Sequence, residues 1–150
     1  MSAHLLAVDL GLRTGLAVYA GDGRLVRYRS QHFGTVAQLK RAVWGELAAI
    51  EGLATVAVEG DAALARVWGS AARKRGAALI SVDAQTWREA LLIARDRRRG
   101  ADAKAAADGL AREVIAASGL PRPTALRHDA AEAICVGLWA CRAVGWPEIL

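Results

Sequence analysis

The chain reads as an α/β protein built on a mixed five-stranded sheet, antiparallel over its first three strands and parallel beyond them, with helices on both faces. Three observations predict this. Residues 5–31 hold three β-like runs joined by short Gly-bearing turns, the pattern of an antiparallel meander. Two further apolar runs, ending at Glu59 and Val82, are each preceded by a helix-period segment. Strands separated by helices are joined by parallel crossovers. Residues 102–143 then carry two Ala-rich helical stretches split by a Gly/Pro break.

Taken in order, Leu5 to Leu10 is a buried strand, Gly11 to Gly15 a tight turn and Leu16 to Tyr19 a second strand. Gly21-Asp22-Gly23 is a hairpin signal. Arg24 to Gln31 alternates Leu25, Arg27 and Arg29 with Val26, Tyr28 and Ser30, as a half-exposed third strand does. Thr35 is placed to cap a helix in which Leu39, Val43, Leu47 and Ile50 share one side. Ala54 to Glu59 is the fourth strand. Asp61 to Arg75 is a helix that Asp61 caps and Gly76 ends. Ala77 to Val82 is the fifth strand, and Asp83 is read as a turn residue. Short helical spacing runs from Trp87 to Ala94, a longer helix from Asp102 to Ala117, and the last from His128 to Ala143.

One domain spanning residues 1–150 accounts for the whole pattern, since 150 residues can bury a substantial core. The chain is 54% hydrophobic and 23% charged, which fits a folded globule and not a disordered segment. Charges interrupt every apolar run before it reaches membrane-spanning length. The start, Met-Ser-Ala-His before a short run carrying Asp9, lacks the basic region and long uncharged core of a signal peptide, so a cytoplasmic protein is expected. Cys135 and Cys141 are six positions apart on one helix, point to different faces, and are expected to be buried free thiols. Formal net charge is +5, carried mostly by Arg, because Lys occurs only at positions 40, 74 and 104. A basic chain rich in guanidinium groups suits a polyanionic partner.

Against that basic background, four acidic residues stand out. Asp9 ends the run Leu5-Leu6-Ala7-Val8, Glu59 ends Val56-Ala57-Val58, and Asp129 and Glu132 open the apolar stretch Ala130 to Cys141. A carboxylate at the end of a buried strand is costly unless paired, hydrogen-bonded or metal-bound. Three such points can converge on hard divalent cations, which prefer oxygen ligands. Asp129 and Glu132 lie three apart, on one side of a helix, although Asp-x-x-Glu before an apolar run also has the form of a capped helix start. Acidic ligands inside a basic protein point to a metal-dependent enzyme acting on nucleic acid.

The run Ala7-Val8-Asp9-Leu10-Gly11-Leu12-Arg13-Thr14-Gly15-Leu16-Ala17 resembles the first-strand motif of the ribonuclease H-like superfamily, and within it the RuvC-type Holliday junction resolvases. Val56-Ala57-Val58-Glu59 is similar to the family's second carboxylate motif, Arg99-Gly100-Ala101-Asp102-Ala103-Lys104 to its Gly-rich turn before a Lys-bearing helix, and Asp129-Ala130-Ala131-Glu132-Ala133 to its acidic final helix start. The chain departs from the family at Arg99, where Gly is more usual, and at Glu132, where Asp is usual. The resemblance implies a ribonuclease H-like fold and an endodeoxyribonuclease that resolves four-way junctions by paired symmetric nicks. It implies two Mg²⁺ or Mn²⁺ ions per site, about 3.5–4 Å apart as two-metal phosphodiester chemistry requires. Asp9, Glu59, Asp129 and Glu132 would be the ligands, with Asp9 the bridge and His128 an auxiliary catalytic group. Because a four-way junction is two-fold symmetric, a homodimer on branched DNA is expected.

Nucleic-acid contact is assigned to Arg13, Arg88, the cluster Arg95, Arg97, Arg98 and Arg99, and Lys104. Trp87 is assigned either to base stacking or to the core. Trp44 and Trp68 lie on amphipathic helices suited to a subunit interface. His4 and His32 have no partner spacing. Two other readings compete: an RNA-processing nuclease of the YqgF type with the same fold, and a nucleic-acid-binding module with an inactive site. An actin-like or sugar-kinase ATPase shares the Asp-x-Gly turn but needs a second similar domain.

Overall fold

The structure, a computed structural model, describes residues 2–93 and 100–150. Strands β1 (His4–Asp9), β2 (Arg13–Ala20) and β3 (Leu25–His32) form the antiparallel meander. β4 (Leu53–Glu59) and β5 (Ala78–Val82) join in parallel on the far side of β1, so the order across the sheet is β3-β2-β1-β4-β5. The described helices are α1 (Val36–Ala48), α2 (Ala62–Arg75), α3 (Ala84–Leu91), α4 (Gly100–Ala117) and α5 (His128–Ala143). The mixed sheet with helices on both faces is the architecture expected from the sequence.

Element ends moved where local hydrogen bonding extends a segment beyond its apolar run. β2 starts at Arg13 and not Leu16, because Arg13 and Thr14 pair with β3 and Gly15 pairs with both neighbouring strands. The turn is therefore only Leu10 to Leu12, clasped by the Thr14 hydroxyl donating to the Gly11 carbonyl at 2.7 Å. α3 starts at Ala84 and not Trp87, because the Asp83 carboxylate accepts from the Thr86 amide at 2.7 Å. Asp83 is thus a helix cap, not a simple turn residue. α4 begins two residues before Asp102. Thr35 and Asp61 cap α1 and α2 as expected, and Gly76 ends α2 at φ 82°.

Strand alternation divides the core into two layers. Leu6, Val8, Leu16, Val18, Val56 and Val58 face α1 and α2, where Leu39, Val43, Leu47 and Trp68 meet them. Leu5, Ala7, Ala17, Tyr19 and Ala57 face the opposite layer, chiefly α4 and α5. The second set is smaller on average, and that lets α5 approach closely. A Cβ added to Gly15 would sit 1.8 Å from the Asp129 carbonyl oxygen, and one added to Gly137 would sit 2.2 Å from the Tyr19 ring. Tyr19, fully buried, donates its hydroxyl to the Ile134 carbonyl at 2.5 Å and pins α5 to β2. Cys135 and Cys141 are buried free thiols on α5. Among the described residues no helix is long and apolar enough to cross a membrane.

Candidate active site

Sheet register builds the site. Asp9 is the register partner of Glu59 on one side and of Gly15 on the other; Gly15 in turn pairs with Ser30. One row, Ser30–Gly15–Asp9–Glu59, therefore crosses four strands at the C-terminal ends of β1 and β4. With a side-chain period of two, Asp9 follows Leu5 and Ala7, and Glu59 follows Ala57, onto the α4/α5 face. Gly15 leaves the gap into which the first turn of α5 descends. That turn carries His128, Asp129 and Glu132 over the row.

Asp129 is held by Ser30, whose hydroxyl donates to Oδ1 at 2.8 Å across 99 residues of sequence. Glu132 is buried at 4% exposure, and its Oε1 takes both Arg88 Nη2 and His128 Nε2 at 3.1 Å. The N-cap of α5 is Arg127, with no side-chain capping bond. Asp129 and Glu132 are therefore not a helix cap, and their carboxylates are turned to the sheet. His128 stands at the solvent edge with its side chain 45% exposed.

The electrostatics are those of crowded acids. Burial pushes the Asp9 carboxyl up to about 8, and the charge and hydrogen bond of Glu59, then Glu132 and Asp129, add to it. Glu59 is also raised, first by burial, with Glu132 opposing its ionisation while its hydrogen bond to Asp9 and the charge of Arg88 favour it. Near neutral pH Asp9 therefore keeps its proton, with Glu59 beside it. Such a set exchanges protons for a cation readily. The donors, four carboxylates and an imidazole, suit Mg²⁺ or Mn²⁺ in kind. Among the described residues, no group of three or more His, Cys, Asp or Glu side chains is gathered closely enough to hold an ion in this conformation. Asp129 is held instead by Ser30, and Glu132 by Arg88 and His128.

The residues expected to contact nucleic acid fare differently. Arg13, at the start of β2, and Lys104, on α4, are exposed. Arg95, Arg97, Arg98 and Arg99 lie outside the described residues. Trp87 is fully buried in the α4/α5 layer, so its ring is not available to stack on a base; the core assignment is the correct one. Arg88 lies over the Trp87 ring at 5.3 Å and pairs with Glu132, so its described partner is the acidic cluster itself. Two features escaped the sequence reading. Ser30 is one polar residue in a polar strand, and only its register opposite Gly15 marks it. Arg127, His32 and Arg13 rim a cleft with Asp129 and Ser30, although they are far apart along the chain.

This sheet order, with carboxylates on the first and fourth strands and on the last helix, defines a ribonuclease H-like fold. Among solved structures the chain is similar to T. thermophilus RuvC in complex with a Holliday junction substrate, at 19% identity and TM-score 0.61, over 95% of this chain and 96% of that one. The likeness is one of fold, and it is to the RuvC type that the sequence resemblance pointed. No family model and no curated protein sequence matches the chain.

Proposed function

We propose that this chain is a metal-dependent endonuclease that resolves four-way DNA junctions by paired nicks, acting as a homodimer. The observation that carries this reading is the sheet row that sets Asp9 beside Glu59, beneath the Asp129 and Glu132 of α5. The RuvC neighbour, seen with a Holliday junction, supports the substrate class. The basic charge of the chain supports a polyanion.

Asp9, Glu59, Asp129 and Glu132 would hold Mg²⁺ or Mn²⁺. When bound, the metal supplies an activated water and charge stabilisation at the scissile phosphate. The chain's own part begins at Asp9, which gives up its proton to become a ligand beside Glu59. Ser30 and Arg88 keep Asp129 and Glu132 oriented toward the row, as outer partners of ligating carboxylates do. His128, exposed at the edge beside Glu132, is placed to give a proton to the leaving oxygen. Arg13, Lys104 and the Arg95–Arg99 cluster hold phosphates and set the strand's register rather than reading bases.

The test is cleavage of labelled four-way junction, linear duplex and structured RNA with Mg²⁺, Mn²⁺ or EDTA, beside Asp9→Asn. Symmetric junction nicking that EDTA and the variant both abolish is the expected result. Cutting of RNA with the junction untouched would move the protein to the RNA-processing branch. Binding without cutting would make it a recognition module.

A further inference from the structure

A second feature lies on the opposite side of the sheet from the carboxylates. α1 and α2 diverge to leave an open groove of about 800 Å³, within the size range of ligand sites. Its floor is apolar, with Val43, Leu64 and Val67. Trp44 stands in it 47% exposed, an unusual position for the largest side chain on an amphipathic helix. Three cations, Lys40, Arg66 and Lys74, line the groove. The lining also holds one acid, Asp61, whose Oδ1 accepts from the Leu64 amide as the cap of α2. Lys74 already sits over the Trp44 ring at 5.4 Å. One end of the groove is the Leu10–Leu12 turn, which follows directly on Asp9.

We propose that this groove is a subsite for unpaired nucleotides, with a base on the Trp44 ring and the backbone on Lys40, Arg66 and Lys74. An exposed aromatic among cations, over an apolar floor, is what sequence-tolerant single-strand binding needs. Every base offers a π-face, and the phosphates meet a net positive charge, three cations against the single carboxylate of Asp61. A folded protein partner would be met equally by the apolar floor, but three cations against one carboxylate favour the polyanion. The Leu10–Leu12 turn lets a strand freed at the carboxylate row pass over the ends of β1 and β4 into the groove. This extends the nucleic-acid reading of the chain but does not depend on cutting.

The experiment is binding of fluorescein-labelled oligothymidylate, followed by anisotropy in EDTA, for the wild type, Trp44→Ala, Trp44→Phe and Lys40→Glu/Lys74→Glu. Stacking contributes about 1–3 kcal/mol per base, so Trp44→Ala is expected to weaken binding roughly 5- to 150-fold. Trp44→Phe should stay close to wild type. The charge-reversed pair should weaken binding and flatten its salt dependence. Circular dichroism and size-exclusion light scattering accompany each variant. Unaltered oligonucleotide affinity in Trp44→Ala or in the charge-reversed pair overturns the proposal, as does a wild type that binds no single strand. A change in oligomeric state with affinity intact also overturns it, and makes the face a contact between copies of the chain. Junction cutting is scored separately, so strand binding without cleavage sinks the nuclease reading and leaves the groove standing.

Discussion

The two faces of the sheet are made from the same strands and follow different packing rules. Toward α1 and α2 the strands present Leu6, Val8, Leu16 and Val18, which fill space with branched aliphatic volume. Toward α5 they present Ala7, Ala17 and Gly15, with Ala57 alongside. Bulk on one side fills the space beneath α1 and α2. Smallness on the other brings α5 down until its backbone touches Gly15. The acids sit on the close side, where a displacement of an ångström changes which carboxylates can meet. Packing on the first face determines stability; packing on the second determines stability and site geometry together.

The difference can be broken most sharply at the acids. Asp9→Asn or Glu59→Gln should lower junction cleavage by about a thousandfold, the several kcal/mol a metal contributes at a phosphoryl centre. Isothermal titration with Mn²⁺ should lose its heat in the same variants. Retained cleavage would remove the carboxylate row from the chemistry.

Two packing variants compare the faces directly. Leu47→Ala, fully buried against the α1/α2 face, should cost about 2–5 kcal/mol in urea unfolding and leave Mn²⁺ affinity as it was. Gly15→Ala should cost roughly 1–3 kcal/mol, because α5 must shift to clear a Cβ placed 1.8 Å from the Asp129 carbonyl, and it should also weaken Mn²⁺ binding. Equal effects of the two on metal affinity would contradict the division.

Arg88→Met leaves Glu132 buried without its guanidinium. Unfolding in EDTA should show a loss of about 1.5–3 kcal/mol, the range for hydrogen bonds to charged groups, with the gap narrowing when Mg²⁺ is added. A loss that is the same with and without Mg²⁺ would mean the ion does not reach Glu132.

Proton and metal compete at Asp9. Its folded-state value of about 8 lies above the ordinary 3.8, so the folded chain holds a proton there that the unfolded chain has released. Stability from this group is fully present below pH 3.8 and is lost as pH climbs toward about 8. In EDTA, Asp9→Asn should therefore melt higher than wild type at pH 8, with the difference closing toward pH 4. Metal affinity runs the other way, rising about tenfold per pH unit up to about 8 for one displaced proton. A flat metal affinity between pH 6 and 8 would show that Asp9 is already ionised.

The smallest effect is expected at the pin between β2 and α5. Tyr19→Phe removes one buried hydroxyl and should cost about 1 kcal/mol, with Mn²⁺ affinity unchanged because Gly15 still sets the approach of α5.

Much of this molecule is written locally. Period-two runs give the five strands, helix-period segments between them force the parallel joins, and Thr35, Asp61 and Gly76 mark helix ends that the structure keeps. Asp9 and Glu59 were legible for the same reason, since a charged residue closing an apolar run stands out in one dimension. Asp129 and Glu132 were ambiguous, because an acid pair at a helix start serves a cap as well as a metal, and spacing alone does not separate the two. The contacts that tell them from a helix cap are tertiary. Ser30 reaches Asp129 and Arg88 reaches Glu132 across 99 and 44 residues of chain. Trp87 is core and Trp44 is exposed, though both sit on amphipathic helices. Periodicity reports which side of an element is apolar, and so it determined the elements and their acids. Which neighbour each side meets, and how closely, depends on the volumes of distant side chains, and only the packed structure decided that.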